Sequence, residues 1–314
     1  MTGQAATEPS PEKPRRYVGV DGGGTGTRVM VSDGNDILSI ASGGPAALSR
    51  GVENAWQVIE MTCATAFSKI GESVVWEKTA VGIGVAGAHH DGWRNEFIRQ
   101  APATERLVVE TDSRTSLLGA HAGKPGVCIA LGTGSVGEVL REDGSTHVVG
   151  GFGFPAGDEG SGAWFGLQAA GYTQRAIDGR ENVDVLTREL FARATGSDEP
   201  IEDVRARLQF MRWHSCARAT DFAALVPTLF EHPTHPFVRD LIKLAIVDVS
   251  IMIHALDPGA SLNVALCGSV GKLLEPHFHP AVAKRLIRPQ GTAVAGALML
   301  IAKDNRPLEG KAAA

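Results

Sequence analysis

The chain alternates short apolar runs with glycine-rich turns, and the clearest example lies at residues 17–33. Tyr17-Val18-Gly19-Val20 forms one β run, a turn of glycines and threonines follows, and Val29-Met30-Val31 forms a second β run. Two β runs joined by such a turn are typical of a hairpin. The stretch GVCIALGTGSVG at 126–137 repeats this arrangement later in the chain. We therefore expect two related strand–turn–strand units, and with them two related domains that face a shared nucleotide.

The remaining pattern predicts further strands and helices in a mixed α/β order. Beyond the first hairpin, strands are predicted at 37–42, 79–85, 106–110, 127–130, 138–141, 147–149 and 262–266. Helices are predicted at 52–70, 92–100, 113–121, 162–176, most of 181–209, 221–254 with breaks at Pro227 and His232-Pro233, the residues after Gly271, and 293–302. Thr292 is a suitable N-cap for the last helix. This order favours a largely covered sheet in each half.

The length of 314 residues is sufficient for two domains of ordinary size. We expect a first domain at 17–119, to which a C-terminal helix at 289–304 returns, and a second domain at 120–288. Residues 1–16 are polar and proline-rich, which predicts a disordered lead-in and not a signal peptide.

Charge and cysteine content narrow the class of protein. A net charge of −5 and a pI near 6.1 argue against a nucleic-acid surface. No apolar stretch is long enough to span a bilayer, so no membrane partner is expected. The four cysteines, Cys63, Cys128, Cys216 and Cys267, are scattered, which predicts reduced, mostly buried thiols in a cytoplasmic protein.

The first turn has the chemistry of a phosphate site. Gly22, Gly23 and Gly24 carry no Cβ, so another group can approach the backbone closely. Exposed N–H groups beside the Thr25 hydroxyl suit phosphate oxygens, and the Asp21 carboxylate at the strand end suits Mg²⁺. A plain glycine-rich hairpin is the alternative. The Walker pattern is absent, and the turn leads into a strand, unlike the Rossmann turn.

Six stretches, in this order, carry a resemblance to a known family. They are VGVDGGGTGTR, TDSRTSLLGAH, ALGTGSVG, VVGGFGFPAGDEGSGAWFGL, ALCGSVGKLL and GTAVAGALML, and they span residues 17–302. The chain resembles the BadF/BadG/BcrA/BcrD group of the sugar-kinase/Hsp70/actin superfamily, and within it the bacterial glucosamine and N-acetylglucosamine kinases. The resemblance implies two ribonuclease H-like (actin-like ATPase) domains with a cleft between them. It also implies transfer of the ATP γ-phosphate to the 6-hydroxyl of glucosamine or N-acetylglucosamine, with Mg²⁺, in a homodimer.

The same resemblance implies a role for each motif. Asp21 matches the residue that holds a Mg²⁺-bound water, and Asp112 matches the catalytic carboxylate. Nucleotide contacts are implied for Gly22, Gly23, Gly24, Thr25, Gly132, Thr133, Gly134, Ser135, Gly268 and Ser269. Sugar contacts are implied for Thr133, Phe152, Gly153 and Asp158. The family's sugar-contacting Asn is missing, because the corresponding stretch, 43–48, reads GGPAAL.

Several of these residues also have a purely structural interpretation. Asp112 could be the N-cap of the helix at 113–121, since strand-terminal Asp is common there. Asp158 and Glu159 could complement a helix dipole instead of binding sugar. His89-His90 could contact sugar or base, or lie in a solvated loop, and His277 and His279 could bind a metal or lie in a loop. Arg114 and Lys272 could contact phosphate or be surface residues. Trp164 and Phe165 are predicted to lie in the core.

Two other classes of function remain open at this point. An ATPase that activates a radical dehydratase would hold an iron–sulfur cluster with cysteines, but no cysteine here lies in a cluster-like motif. A sugar-sensing regulator would carry an added DNA-binding helix pair, and residues 1–16 are too few for one.

Overall fold

Two five-stranded sheets of the same topology organise the computed structural model, which describes residues 16–197 and 199–302. The first has the order β3-β2-β1-β4-β5, and the second β8-β7-β6-β9-β10. In each sheet the first three strands are antiparallel, and the last two run parallel to the first. The strands are β1 (Arg16–Gly22), β2 (Thr27–Ser32), β3 (Ile37–Gly43), β4 (Thr79–Val85), β5 (Arg106–Glu110), β6 (Gly126–Leu131), β7 (Ser135–Leu140), β8 (Thr146–Gly150), β9 (Val264–Cys267) and β10 (Leu286–Ile287).

The helices cover these sheets and fill a long connection between β8 and β9. They are α1 (Val52–Ser68), α2 (Asp91–Arg99), α3 (Asp112–Ala120), α4 (Gly162–Ile177), α5 (Val185–Thr195), α6 (Ala206–Cys216), α7 (Ala219–Ala223), α8 (Val226–Glu231), α9 (Pro236–Leu256), α10 (Ser269–Leu274), α11 (Pro280–Ala283) and α12 (Ala293–Met299). Short 3₁₀ turns lie at Leu48–Arg50, Trp76–Lys78 and Glu275–His277. The two strand–turn–strand units expected from the sequence are therefore present as β1–β2 and β6–β7.

The first sheet is buried on both faces. Alternate residues of its central strands, such as Val18, Val20 and Ile83, point toward α1 and form one core. On the opposite face Met30 and Ala80 pack with side chains of α12. A sheet covered on both sides explains why its central strands read as nearly continuous apolar runs.

Glycines allow the last helix to lie very close to the first sheet and to α3. A Cβ on Gly19 would lie 2.5 Å from the Val294 carbonyl oxygen, and one on Gly82 would lie 2.0 Å from that of Ala297. A Cβ on Gly296 would lie 1.9 Å from the Thr115 carbonyl oxygen in α3. Real Cβ atoms cannot occupy such positions, so these glycines are required by backbone-to-backbone packing. The helix at the end of the chain thus packs on the first sheet; the domain boundaries at 17–119, 120–288 and 289–304 stay predictions.

The second sheet packs on one face against a large helical core and on the other against α3. The helical face includes Ile129 and Leu131 of β6 together with residues of α4, α8 and α9. The opposite face places Cys128 and Ala265 against Leu117 and Ala120. Because α3 contacts both sheets, its N-terminal end lies where the two halves of the molecule meet.

Several helix boundaries of the long connection differ from the sequence prediction. Helix α5 ends at Thr195 because Gly196 adopts a left-handed conformation, and the helix does not continue through to 209 as predicted. The break predicted at Pro227 lies just before it, between Ala223 and Val226, and Pro227 itself is in the first turn of α8, where a missing N–H is tolerated. The break predicted at His232-Pro233 is correct, since α8 ends at Glu231.

The N-terminal lead-in predicted at 1–16 is wrong at its last residue. Arg16 is the first residue of β1 and pairs with Thr79 of β4. The rest of that prediction, residues 1–15, lies outside the described residues. Among the helices that the structure describes, none combines the length and apolar character needed to cross a membrane.

Candidate active site

The first glycine turn connects β1 and β2 at the carboxyl end of the first sheet. The Gly23 N–H donates to the Gly26 carbonyl at 2.9 Å and closes the turn. The loop after β3 supports this turn, because the Ala46 N–H donates to the Gly23 carbonyl oxygen at 3.1 Å and the Thr27 hydroxyl donates to the Gly44 carbonyl oxygen at 2.7 Å. A Cβ on Gly24 would contact nothing within 4 Å. The turn is therefore fixed by the loop after β3 on one side and open at Gly24 on the other, where a ligand would lie.

The second glycine turn, between β6 and β7, is braced by the N-terminal end of α4. The N–H groups of Gly162 and Ala163 donate to the carbonyls of Gly132 and Thr133 at 2.8 and 3.0 Å. A Cβ on Gly132 would contact nothing within 4 Å. The Ser135 hydroxyl is buried without a hydrogen-bond partner among the described residues. Buried hydroxyls are rarely left unpaired, so this atom marks a position for a missing polar partner.

Asp158 lies against this second turn. One of its carboxylate oxygens accepts from the Ser135 N–H at 3.0 Å, and both lie 2.9 Å from the position of a Cβ on Gly134. Asp158 is 8% exposed and has a left-handed φ of 65°, an unusual conformation for this residue. Burial raises its pKa above the ordinary value, against the effect of the Ser135 N–H. Asp158 therefore positions the turn, whatever contact it makes with sugar.

A third turn follows β9 and contacts the second one directly. A Cβ on Gly268 would lie 2.3 Å from the Leu131 carbonyl oxygen and 3.2 Å from the Gly132 nitrogen. Gly268 has a φ of 89°, so both its conformation and its surroundings require glycine. Gly268 and Ser269 are exposed to solvent on the outer side of this contact.

Asp112 lies close enough to Asp21 to affect the ionisation of the Asp21 carboxyl. Burial, with a further contribution from the Asp112 charge, raises the pKa of Asp21 to about 6. Burial also raises the pKa of Asp112, while the Ser113 N–H and the charge of His89 act in the opposite direction. Two half-buried carboxylates with raised pKa values are typical of a functional site.

The alternative role of Asp112 as a helix cap is wrong. The N-cap of α3 is Thr111, whose hydroxyl oxygen accepts from the Arg114 N–H at 3.2 Å. Asp112 is the first residue of the helix, and its side chain accepts only from the adjacent Ser113 N–H, at 3.1 Å, among the described residues. Thr111 thus performs the capping, which leaves carboxylate oxygens of Asp112 available to other groups.

Glu138 joins this acidic group from the second sheet, and no local sequence pattern marks it. It is 4% exposed, accepts a hydrogen bond from Ser113 Oγ at 2.7 Å, and lies 3.6 Å from Arg114 Nη1. Burial raises its pKa, and the charges of Glu110 and Asp112 add to this effect. Arg114 is therefore an ion-pair partner within the protein and not merely a surface residue, while a contact with phosphate stays a prediction.

Arg28 is a second residue that the sequence did not single out. It is the cross-strand partner of Asp21 in the β1–β2 hairpin, next to the first turn. Its charge lowers the pKa of Asp21, against the effect of burial. It is exposed, and no ion pair or hydrogen bond of its side chain occurs among the described residues. Only strand register brings it to Asp21, which explains why the sequence alone did not indicate it.

The predicted sugar loop after β8 is less closely associated with these residues. Phe152 is 93% exposed, and Gly153, with a φ of 84°, has open space around its Cβ position. Ala46 and Ala47, which occupy the stretch where the family's Asn is missing, are both buried. The protein next to the first turn is therefore apolar at Ala46 and Ala47.

The remaining candidates take mostly structural positions. His90 caps α2 by accepting from the Trp93 N–H at 3.2 Å, whereas His89 is exposed beside Asp112. His279 Nδ1 accepts from the Ala281 N–H, and His277 ends a 3₁₀ turn. Phe165 is fully buried, Trp164 is partly buried, Glu159 is half-buried and Lys272 is exposed. The core assignment of Trp164 and Phe165 is confirmed.

The donor set fits a Mg²⁺–nucleotide complex. The Asp112 charge disfavours ionisation of both Asp21 and Glu138, and a divalent cation with oxygen ligands would relieve that repulsion. The open space at Gly24 and Gly132 suits phosphate oxygens.

The sequence matches those of known proteins over most of its length. A sequence profile of the BadF/BadG/BcrA/BcrD ATPase family matches residues 18–250. The chain is 30% identical to glucosamine kinase GspK of Vibrio cholerae over 300 residues, which cover 93% of this chain and 97% of that protein.

Solved structures agree with the predicted fold. The structure matches that of a protein from Chromobacterium violaceum described as an N-acetylglucosamine kinase, with a TM-score of 0.86 and 41% identity, covering 91% of this chain and 99% of that one. A second protein so described, from Porphyromonas gingivalis, matches with a TM-score of 0.65 at 17% identity, covering 92% and 99%, and supports the fold alone. The predicted pair of actin-like domains is confirmed.

Proposed function

Because the chain belongs to the BadF/BadG/BcrA/BcrD ATPase family, we propose that it is an ATP-dependent amino-sugar kinase that phosphorylates the 6-hydroxyl of glucosamine or N-acetylglucosamine. The observation that carries this proposal is the position of Asp112 beside Asp21, at the helix end where the two sheets meet. A kinase must orient a hydroxyl between a base and the γ-phosphate, and this junction provides a carboxylate between two glycine turns.

In the proposed mechanism the two glycine turns hold the phosphates of ATP through backbone N–H groups. Gly22–Thr25 and Gly132–Ser135 supply these groups from opposite halves of the molecule, and the unpaired Ser135 hydroxyl is a further donor. Gly268 and Ser269 contact the adenosine. Preformed donors that need no rearrangement stabilise developing charge well, so positioning supplies most of the rate.

Asp112 accepts the proton of the attacking sugar hydroxyl. A general base works best when its pKa is near the working pH, and burial moves the pKa of Asp112 upward in that direction. Its carboxylate is not used for capping, because Thr111 fulfils that role.

Asp21 is the residue that would hold Mg²⁺ here, and the bound cation would neutralise negative charge on the phosphates. Arg28 lies across the hairpin from Asp21 and adds positive charge at the same edge of the phosphate site. Asp21 lies on β1 and Arg28 on β2, so the hairpin fixes the positions of both side chains relative to the turn.

Asp158 keeps the second turn in its binding conformation and, with Thr133, Phe152 and Gly153, contacts the sugar. The buried methyl groups of Ala46 and Ala47 take the place of a polar side chain next to the acceptor. We therefore infer that one sugar hydroxyl loses a protein partner here, and that the acceptor range differs from that of relatives with Asn.

The test is a coupled ADP-release assay over glucosamine, N-acetylglucosamine, N-acetylmannosamine, glucose and a reaction without sugar. Phosphorus NMR of the product then identifies the phosphorylated position. A 6-phosphate formed from an amino sugar is the expected result. Equal ADP release with every sugar and without sugar contradicts the proposal and favours an activating ATPase.

A further inference from the structure

Two cysteine thiols face each other in the second sheet. Cys128 lies in β6 and Cys267 is the last residue of β9, and the Cys128 thiol donates to the Cys267 sulfur at 3.5 Å. The strands are parallel neighbours in which Cys128 pairs with Ala265 and Cys267 with Ala130. Both side chains therefore lie on the face covered by α3.

The two thiols differ in their access to solvent and in their acidity. Cys128 is 2% exposed, whereas Cys267 is only partly buried. The hydrogen bond between them, together with burial, raises the pKa of Cys128, and the same hydrogen bond lowers the pKa of Cys267. The thiolate is the reactive form of cysteine, so Cys267 meets a dissolved oxidant first.

The pair lies directly behind two of the turns proposed to bind ATP. β6 continues past Cys128 into the Gly132 turn, and β9 continues from Cys267 into Gly268. These turns touch through backbone atoms, since a Cβ on Gly268 would lie 2.3 Å from the Leu131 carbonyl oxygen. A movement of the end of β9 toward β6 therefore displaces one turn relative to the other.

We propose that Cys128 and Cys267 are a modification site at which hydrogen peroxide forms a reversible disulfide that weakens ATP binding. The Cys267 thiolate attacks a peroxide oxygen and the O–O bond breaks. The leaving hydroxide takes up the proton that the Cys267 thiol lost, which gives a sulfenic acid and one water. The Cys128 thiol then attacks the sulfenic sulfur, the S–S bond forms, and a second water leaves with the remaining proton. Two thiols lose two electrons in total, one peroxide is reduced to two waters, and a dithiol reductant reverses the step.

Formation of the bond requires movement at this position. The sulfur atoms are 3.5 Å apart, and a disulfide bond is about 2.05 Å long. Cys128 is held in the middle of a central strand, whereas Cys267 ends its strand, so the end of β9 is the part that moves. The effect on ATP binding rests on the proposed function; the formation of the disulfide does not.

The test uses the full chain carrying Cys216→Ser, which removes the exposed cysteine. Cys63 stays in place, because burial in the other core raises its pKa to about 12 and leaves it unreactive. After peroxide treatment, alkylation and mass spectrometry should show a loss of two hydrogens and a linked peptide that contains Cys128 and Cys267. Calorimetry with a non-hydrolysable ATP analogue should then show binding about tenfold weaker, restored by dithiothreitol.

The matched control adds Cys267→Ala to the same chain, which should form no such link and keep its affinity for the analogue in peroxide. Two thiols that still alkylate after peroxide, a sulfinic acid in place of the link, or a linked protein with unchanged affinity each overturn the proposal. A reduced protein that binds no analogue contradicts the proposed function instead, and the linked peptide still decides whether the disulfide forms.

Discussion

At the scale of single residues, Asp112 tests the proposed chemistry most directly. We expect Asp112→Asn to lower kcat by about a hundredfold or more, the usual cost of losing a general base, while the affinities for ATP and sugar change only severalfold. The amide keeps the size of the side chain but cannot accept the proton. Steady-state kinetics on the purified variant measure both quantities.

Asp143→Asn is a suitable control, because that carboxylate lies in an exposed turn between β7 and β8. It should keep normal kinetics. Turnover close to normal in a folded Asp112→Asn protein would remove Asp112 from the mechanism.

Asp21 gives a prediction about stability and pH. Its pKa rises on folding from the ordinary value to about 6, so the folded state favours the protonated acid. The stability that protonated Asp21 contributes is complete below the pKa that Asp21 has in the unfolded chain, and it is lost as the pH rises through about 6. In metal-free buffer, Asp21→Asn should therefore be more stable than the natural protein at pH 7.5, by about 3 kcal/mol.

Thermal unfolding with a chelator at pH 7.5 and near pH 4 measures this effect. The two proteins should unfold at similar temperatures near pH 4 and separate at the higher pH. A stability difference that does not vary with pH would mean that the Asp21 carboxyl ionises as freely as in the unfolded chain.

The sequence could identify some site residues and not others. Asp21 and Asp112 each follow a recognisable β run, so their position at a sheet edge is readable from the pattern. Arg28 and Glu138 reach the same site only through strand register and the meeting of two sheets. Long-range contacts of this kind leave no local signal in one sequence.

At the scale of elements, the glycine turns give a test that separates folding from binding. A Cβ on Gly24 meets nothing within 4 Å in the protein, so Gly24→Ala should not change the melting temperature. If phosphates occupy that space, the methyl group should raise the KM for ATP about tenfold, through lost contacts and steric overlap.

Gly259→Ala is the matched control. Its Cβ would lie 3.9 Å from the nearest atom, an Asp257 carboxylate oxygen, in a loop before β9. It should leave both the melting temperature and the KM unchanged. An unaltered KM in Gly24→Ala would place the phosphates elsewhere.

In helix α12, in contrast, replacing a glycine should affect folding. A Cβ on Gly296 would lie 1.9 Å from the Thr115 carbonyl oxygen, and the backbone of α3 cannot yield without disturbing the active-site helix. Gly296→Ala should lower the free energy of unfolding by about 3 kcal/mol, the upper range for overpacking. Urea unfolding measures the change, and unfolding as in the natural protein would contradict the close packing of these helices.

The elements also show where sequence reasoning stops. Strands β4 and β5 agree with the prediction at both ends because short, nearly continuous apolar runs mark them. The sequence pattern predicts helix beyond Thr195, whereas the left-handed conformation of Gly196 ends α5 there. The requirement for glycine at Gly296 comes from a neighbour distant in sequence, which no periodicity reveals.

At the scale of the whole molecule, the site draws residues from both halves, so it is complete only when they come together. Sugar and ATP should close the halves and exclude water, which limits hydrolysis. ADP release without sugar should therefore be slow, and a good amino-sugar acceptor should raise it by orders of magnitude. Measuring ADP and sugar phosphate in parallel separates transfer from hydrolysis. Rapid ADP release that no sugar changes would contradict closure by the acceptor.

The position of α12 at the end of the described chain also affects synthesis on the ribosome. A nascent polypeptide emerges from its N terminus, so β1 and β4 leave the exit tunnel long before Ala293–Met299 is translated. Until then Met30 and Ala80 have no cover on their face of the sheet. The first sheet therefore cannot finish folding until α12 has left the tunnel, and until then its uncovered strands expose apolar surface that favours aggregation of the nascent chain.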